Sequence, residues 1–126
     1  RNRKEYMRII TSEMLITKEI KIPQITKVCD PLSKKKDGTV TSQAPVIVSG
    51  CNLNLKASVN SRFCLTQVID FIRVIEFPFV YKRSDEQAIL HLPYLEPGEY
   101  FPSIVMQESD GKNSVYILPD SWVVRR

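Results

Sequence analysis

The chemistry a protein can do is bounded by its titratable side chains, and here histidine is the scarcest: His91 stands alone among 126 residues. Proton transfer near neutral pH needs a group whose pKa can be tuned to the task, so a Ser-His-Asp arrangement would have to use that one ring. His91 lies inside a strand-like segment, which predicts a partly buried strand residue satisfied by a neighbour rather than a base or a ligand. No GxSxG, HExxH, P-loop or GxGxxG pattern occurs. The acidic turns Asp85-Glu86 and Asp110-Gly111 lack the alternating oxygen ligands of a calcium loop. Cys29, Cys51 and Cys64 are odd in number and have none of the short paired spacings of a metal site. Beside Val28, Phe63 and Leu65 they read as small buried hydrophobes, mildly favouring a reducing compartment. The expectation is a protein that is not an enzyme and has no cofactor or metal.

Binding chemistry is better represented. The formal charge is +4, and much of the excess sits in three clusters: Arg1, Arg3 and Lys4; Lys34, Lys35 and Lys36; Arg125 and Arg126. The first two clusters are the candidate nucleic-acid contacts, since such cations would neutralise phosphates without reading sequence. Tyr81, Tyr94, Tyr100, Tyr116 and Trp122 are the residues from which a stacking platform for a sugar or a base would be made. Their dispersal along the chain favours packing in the core or on a sheet face instead. The longest apolar runs are a few residues, far short of the roughly 20 that span a bilayer as a helix.

The elements that must position these groups are strands. Around Ile89–Met106 two apolar runs, each of strand length, flank Pro97-Gly98, whose chemistry predicts a type II turn with the two runs paired across it. Both parities of each run carry apolar groups, which suits strands inside two packed layers. Pro93 and Pro102 cannot donate to a ladder, so each is expected at a strand end or bulge. Further strands are predicted over 24–30, 45–49, 62–67, 71–76, 80–82, 114–118 and 122–125, separated by turns, with Asp37-Gly38 the strongest turn dipeptide and 32–43 an exposed loop. Gly50 predicts a bulge or a close backbone approach. Near the start, 6–11 reads as a strand, followed by a helical turn or two over 12–20 capped by Ser12. Ile22-Pro23 marks a boundary, because the residue before proline is pushed to extended geometry. The fold class is all-β: an immunoglobulin-like antiparallel β-sandwich over 22–126, with a small strand and helix extension over 1–21.

Four segments follow one another in a recognisable order: Ile22–Val28, Asp37–Thr41, Pro45–Leu55 and Leu92–Tyr100. They resemble the immunoglobulin-like (IPT/TIG-related) domain that follows a HU-like domain in a family of bacterial proteins of unknown function. Ile47–Leu53 matches that family's Val-x-Gly-x-Asn-Leu strand end, Pro93–Tyr100 its Pro-x-Leu-x-x-Gly-x-Tyr turn, and Val105-Met106-Gln107 keeps the glutamine of its Val-x-Thr-Gln strand with methionine in place of threonine. The resemblance implies a non-catalytic interaction or accessory module of a larger, DNA-associated protein. Its partners would be DNA through a HU-like portion missing from this chain, or protein through an edge strand or loops, and it would work in the cytoplasm at the nucleoid. Residues 1–21 are too few for a whole HU-like domain, and would be a remnant of a preceding domain or a linker. The alternative is a structural or carbohydrate-binding module of a secreted or cell-surface protein.

Overall fold

The computed structural model describes residues 8–54, 60–69, 72–108 and 110–125. Among the described residues the alternating segments become eleven strands: β1 (Arg8–Ile10), β2 (Gln24–Cys29), β3 (Thr39–Val40), β4 (Pro45–Cys51), β5 (Ser61–Val68), β6 (Ile72–Glu76), β7 (Phe79–Arg83), β8 (Gln87–His91), β9 (Gly98–Gln107), β10 (Asn113–Ile117) and β11 (Trp122–Val124). One helix, α1 (Ser12–Thr17), follows β1. Its cap is Thr11 rather than Ser12: the Thr11 hydroxyl accepts from the Met14 amide at 3.4 Å, so the helix begins one residue earlier than its Ser-Glu start suggests.

Two sheets carry these strands. The four-stranded sheet runs β2-β4-β8-β7, and the seven-stranded sheet is built on β9. β5 lies along one side of β9, with β6 beyond it; β10 and β11 lie end to end along the other side, pairing Ser103–Gln107 and Gly98–Tyr100 in turn. In immunoglobulin lettering these are A-B-E-D against G-F-C-C′, so the chain is an immunoglobulin-like β-sandwich. The short N-terminal extension adds β1 in parallel beside β10, and Ile10 and Leu15 are buried in the common core.

The inner faces explain why the layers adhere. Val46, Val48, Leu65, Leu90, Leu92, Ile104 and Trp122 are all buried to 1% exposure or less, and each such aliphatic side chain contributes about 1.5–3 kcal/mol of transfer free energy. Phe77 packs between Phe63 and Trp122, with ring centroids 6.1 and 6.5 Å away. Gly50 marks a close approach, as expected: a Cβ there would lie 1.9 Å from the Gln24 carbonyl oxygen.

Two expectations are corrected. The runs flanking Pro97-Gly98 do not pair with each other; β8 lies in one sheet and β9 in the other, and residues 92–97 carry the chain between layers. Gly98 has φ +156°, well away from the φ near +80° of a type II turn. Leu92 and Leu95 are buried, so the connection is anchored in the core rather than folded back as a hairpin. Pro102 sits inside β9, not at its end. The Leu118 amide donates to the Pro102 carbonyl at 2.9 Å, so the missing Pro102 amide hydrogen points to the same side, where β10 has ended and β11 has not begun. The reciprocal bond, from a Pro102 amide to the Leu118 carbonyl, is the one the proline removes, and the β10 pairing stops at Ile117.

Candidate nucleic-acid interface

Asp30 directly follows β2 with its side chain wholly buried, and the loop beyond is folded around that carboxylate. Its Oδ1 accepts from the Leu32 amide at 3.1 Å, and its Oδ2 from the hydroxyls of Ser33 at 3.0 Å and Thr41 at 2.6 Å. A carboxylate this deeply placed persists only when its lone pairs are satisfied, and these donors do so. The backbone closes over it as well. Asp30 donates to the Lys35 carbonyl at 2.9 Å, Lys34 donates to the Asp30 carbonyl at 2.7 Å, and Lys34 adopts φ +62°.

The loop therefore presents Lys34, Lys35 and Lys36, all exposed, from a fixed backbone. Lys36 also lines a shallow cleft of about 220 Å³ together with Lys27 of β2, Asp37, Asp120 and Trp122. Asp37 is held below the usual carboxylate range by hydrogen bonds from Thr39, whose amide reaches Oδ1 at 3.0 Å. Among the described residues, Lys27 and Lys34–Lys36 have no carboxylate within 4.0 Å. Arg8 pairs with Asp110 at 3.6 Å, Arg62 with Glu76 at 3.5 Å, and Lys18 with Glu108. Arg83 is committed too: its guanidinium donates to Leu53 O at 2.9 Å and Ser61 O at 3.0 Å, and burial lowers its pKa. Arg1, Arg3 and Lys4 lie outside the described residues, as does Arg126.

The other candidates separate. His91 is half-buried on β8, and its Nδ1 meets the Tyr81 hydroxyl at 3.1 Å, which satisfies it as a strand residue. Trp122, Tyr100 and Tyr116 are core residues, whereas Tyr81 and Tyr94 are exposed on different elements. No shared platform forms from the five. Burial pushes the Cys64 thiol up to about 11, while Cys29 and Cys51 are half-buried and unpaired with each other. No group of three His, Cys, Asp or Glu residues capable of holding a metal occurs among the described residues. No helix there is long and apolar enough to cross a membrane.

A second cleft, of about 290 Å³, opens at the end where β5, β6 and the 92–98 connection meet. Gln67, Arg73, Glu96 and the exposed Tyr94 line it with Ile69 and Pro97. The sequence alone does not single out Lys27, Asp30 or this second cleft. Asp30 had a local signal, an Asp-Pro step with a serine three residues on, which is typical of side chain to backbone turns.

No family model matches the chain, and no curated protein matches it. Among solved structures it is similar to a crystal structure of a protein from Bacteroides vulgatus to which DNA binding is provisionally ascribed, with a TM-score of 0.58 and 19% identity. The likeness covers 82% of this chain and 49% of that protein, so this chain spans about half of that protein's length. At this identity the likeness is one of fold.

Proposed function

We propose that this chain is a non-catalytic, immunoglobulin-like interaction module of a larger DNA-associated protein, meeting the phosphate backbone through Lys34, Lys35 and Lys36 with Lys27 beside them. The observation that carries the reading is the pre-ordered loop: a buried Asp30 fixes the backbone from which exposed lysines project, free of carboxylate partners among the described residues. Pre-ordering matters because a contact made from a fixed loop forfeits less conformational entropy on binding. The shared fold with a protein of provisionally ascribed DNA binding supports the same direction. On this reading residues 22–126 are the module and 1–21 a lead-in from a preceding, HU-like domain, with Arg1, Arg3 and Lys4 as further phosphate contacts. Such a protein would act at the nucleoid, in the cytoplasm.

Phosphate contacts release counterions, so affinity for duplex DNA falls by about 0.9 logarithmic units per contact for each tenfold rise in salt. Anisotropy of a labelled duplex at low and moderate salt is expected to show weak binding that falls steeply, and Lys34→Ala with Lys35→Ala and Lys36→Ala to flatten that slope. Absence of binding at either salt removes the reading.

The second cleft favours a different function, saccharide binding, because an exposed tyrosine beside an acid, a guanidinium and an amide suits a polyhydroxylated ring. Saccharide-induced NMR shifts at Gln67, Arg73 and Glu96, with none at Lys34–Lys36 on adding DNA, would select it.

A further inference from the structure

A sheet edge is a row of unpaired amides and carbonyls, and soluble domains blunt it with short strands, bulges, lysine or proline. Among the described residues five strands are edges. β1 and β3 have only three and two residues. β2 is bulged at Thr26 and carries Lys27; β7 is bulged at Tyr81 and carries Lys82. β6 has no bulge, lysine or proline, and its two charges, Arg73 and Glu76, are of opposite sign. Its five residues, Ile72-Arg73-Val74-Ile75-Glu76, pair regularly with β5 throughout.

We propose that β6 is a self-association edge, joining a second copy of this chain antiparallel about a two-fold axis at Val74. This needs nothing of the nucleic-acid reading. The hydrogen-bonding direction follows from the ladder: the Gln107 amide donates to Asn60 O, so even-numbered residues of β5 face β9 and odd-numbered ones face β6. Arg73 and Ile75, opposite Gln67 and Leu65, therefore bond to β5, while Ile72, Val74 and Glu76 turn their amides and carbonyls outward.

A second copy fits this edge. With the axis at Val74, Val74 meets its own counterpart, Ile72 meets Glu76, and Arg73 meets Ile75, so no like charges face each other. Glu76 is already paired with Arg62 at 3.5 Å. Every outward-facing residue exchanges bonds with an outward-facing one, which preserves the sheet's two faces. At one end of this edge an exposed apolar cluster gathers: Ile72 at 36% exposure on β6, Val68 at 57% opposite it on β5, and Ile69 at 72% just after. Such a cluster marks an interaction surface more than a solvated one.

The test is sedimentation velocity of the chain from micromolar to millimolar concentration, with amide hydrogen exchange at both ends of the range. A monomer–dimer equilibrium is expected. The amides of Ile72, Val74 and Glu76 gain protection as the dimer forms, whereas those of Arg73 and Ile75 are protected at both concentrations. Val74→Pro removes one outward donor from each copy without touching the β5 ladder, and is expected to raise the dimer dissociation constant about tenfold or more. A chain that stays monomeric at every concentration overturns the proposal, and so does a dimer that leaves the three outward amides unprotected. The exchange measurement uses the unaltered chain, so it decides the matter even if the proline variant unfolds.

Discussion

The Tyr100 hydroxyl donates to the Glu96 carbonyl at 2.6 Å, tying the start of β9 to the connection that brings the chain across from the other sheet. This is the tyrosine corner of immunoglobulin-like sandwiches, placed near the start of strand F. The ring itself is buried, so the hydroxyl and the packing are separable. Tyr100→Phe keeps the ring and loses the bond, and is expected to cost about 1 kcal/mol. Tyr100→Ala also empties the core and should cost about 3–5 kcal/mol. Urea unfolding with an unchanged slope would measure both.

Gly50 lets β2 and β4 lie against each other where their ladder is bulged. A methyl group at that position would fall 1.9 Å from the Gln24 carbonyl oxygen, an overlap with backbone that no rotamer relieves. Gly50→Ala is expected to destabilise by about 3 kcal/mol. Amide exchange should show β2 loosened first, since it is an edge strand paired only with β4.

Helix α1 is tied to the β9–β10 turn by charge. The Lys18 ammonium donates to Glu108, and the Ser114 hydroxyl donates to the other carboxylate oxygen at 2.7 Å. The Lys18 contact first, and Ser114 second, hold the Glu108 carboxyl below its ordinary value of 4.5. A carboxyl depressed in the folded state binds protons more readily when unfolded, so its contribution is fully present above the ordinary value and is lost as pH falls through the depressed one. Stability should drop in acid below about pH 4.5. Lys18→Met should flatten that part of the curve, as read from thermal midpoints between neutral pH and pH 3.

Strand identity was legible in the chain because alternation is a direct consequence of the pleat: the expected segments at 24–30, 45–49, 62–67 and 114–118 reappear as β2, β4, β5 and β10. Which layer each strand joins was not. Pro97-Gly98 reads as a turn between pairing partners, yet turn chemistry describes only a few residues, and the crossing is decided by distant partners: buried Leu92 donates its amide to the Ala44 carbonyl and buried Leu95 to the Ser42 hydroxyl. Pro102 misled for the same reason. Its missing donor costs only the last bond beside β10, because β10 ends and β11 has not begun opposite it, a coincidence of register that local sequence does not encode. At the candidate site the lysine triplet was visible as composition, while its support was not: Asp30 and Thr41 meet only after β2 and β3 are placed in separate sheets.

Recognition through a pre-ordered lysine loop is most directly tested by amide NMR of this chain titrated with a short DNA duplex at low salt, then with salt added. Shifts concentrated at Lys27 and Lys34–Lys36, reversed by salt and diminished in Asp30→Asn while the β-sheet signals persist, are the predicted result. Shifts confined to Gln67, Arg73 and Tyr94, or no shifts at all, would contradict it.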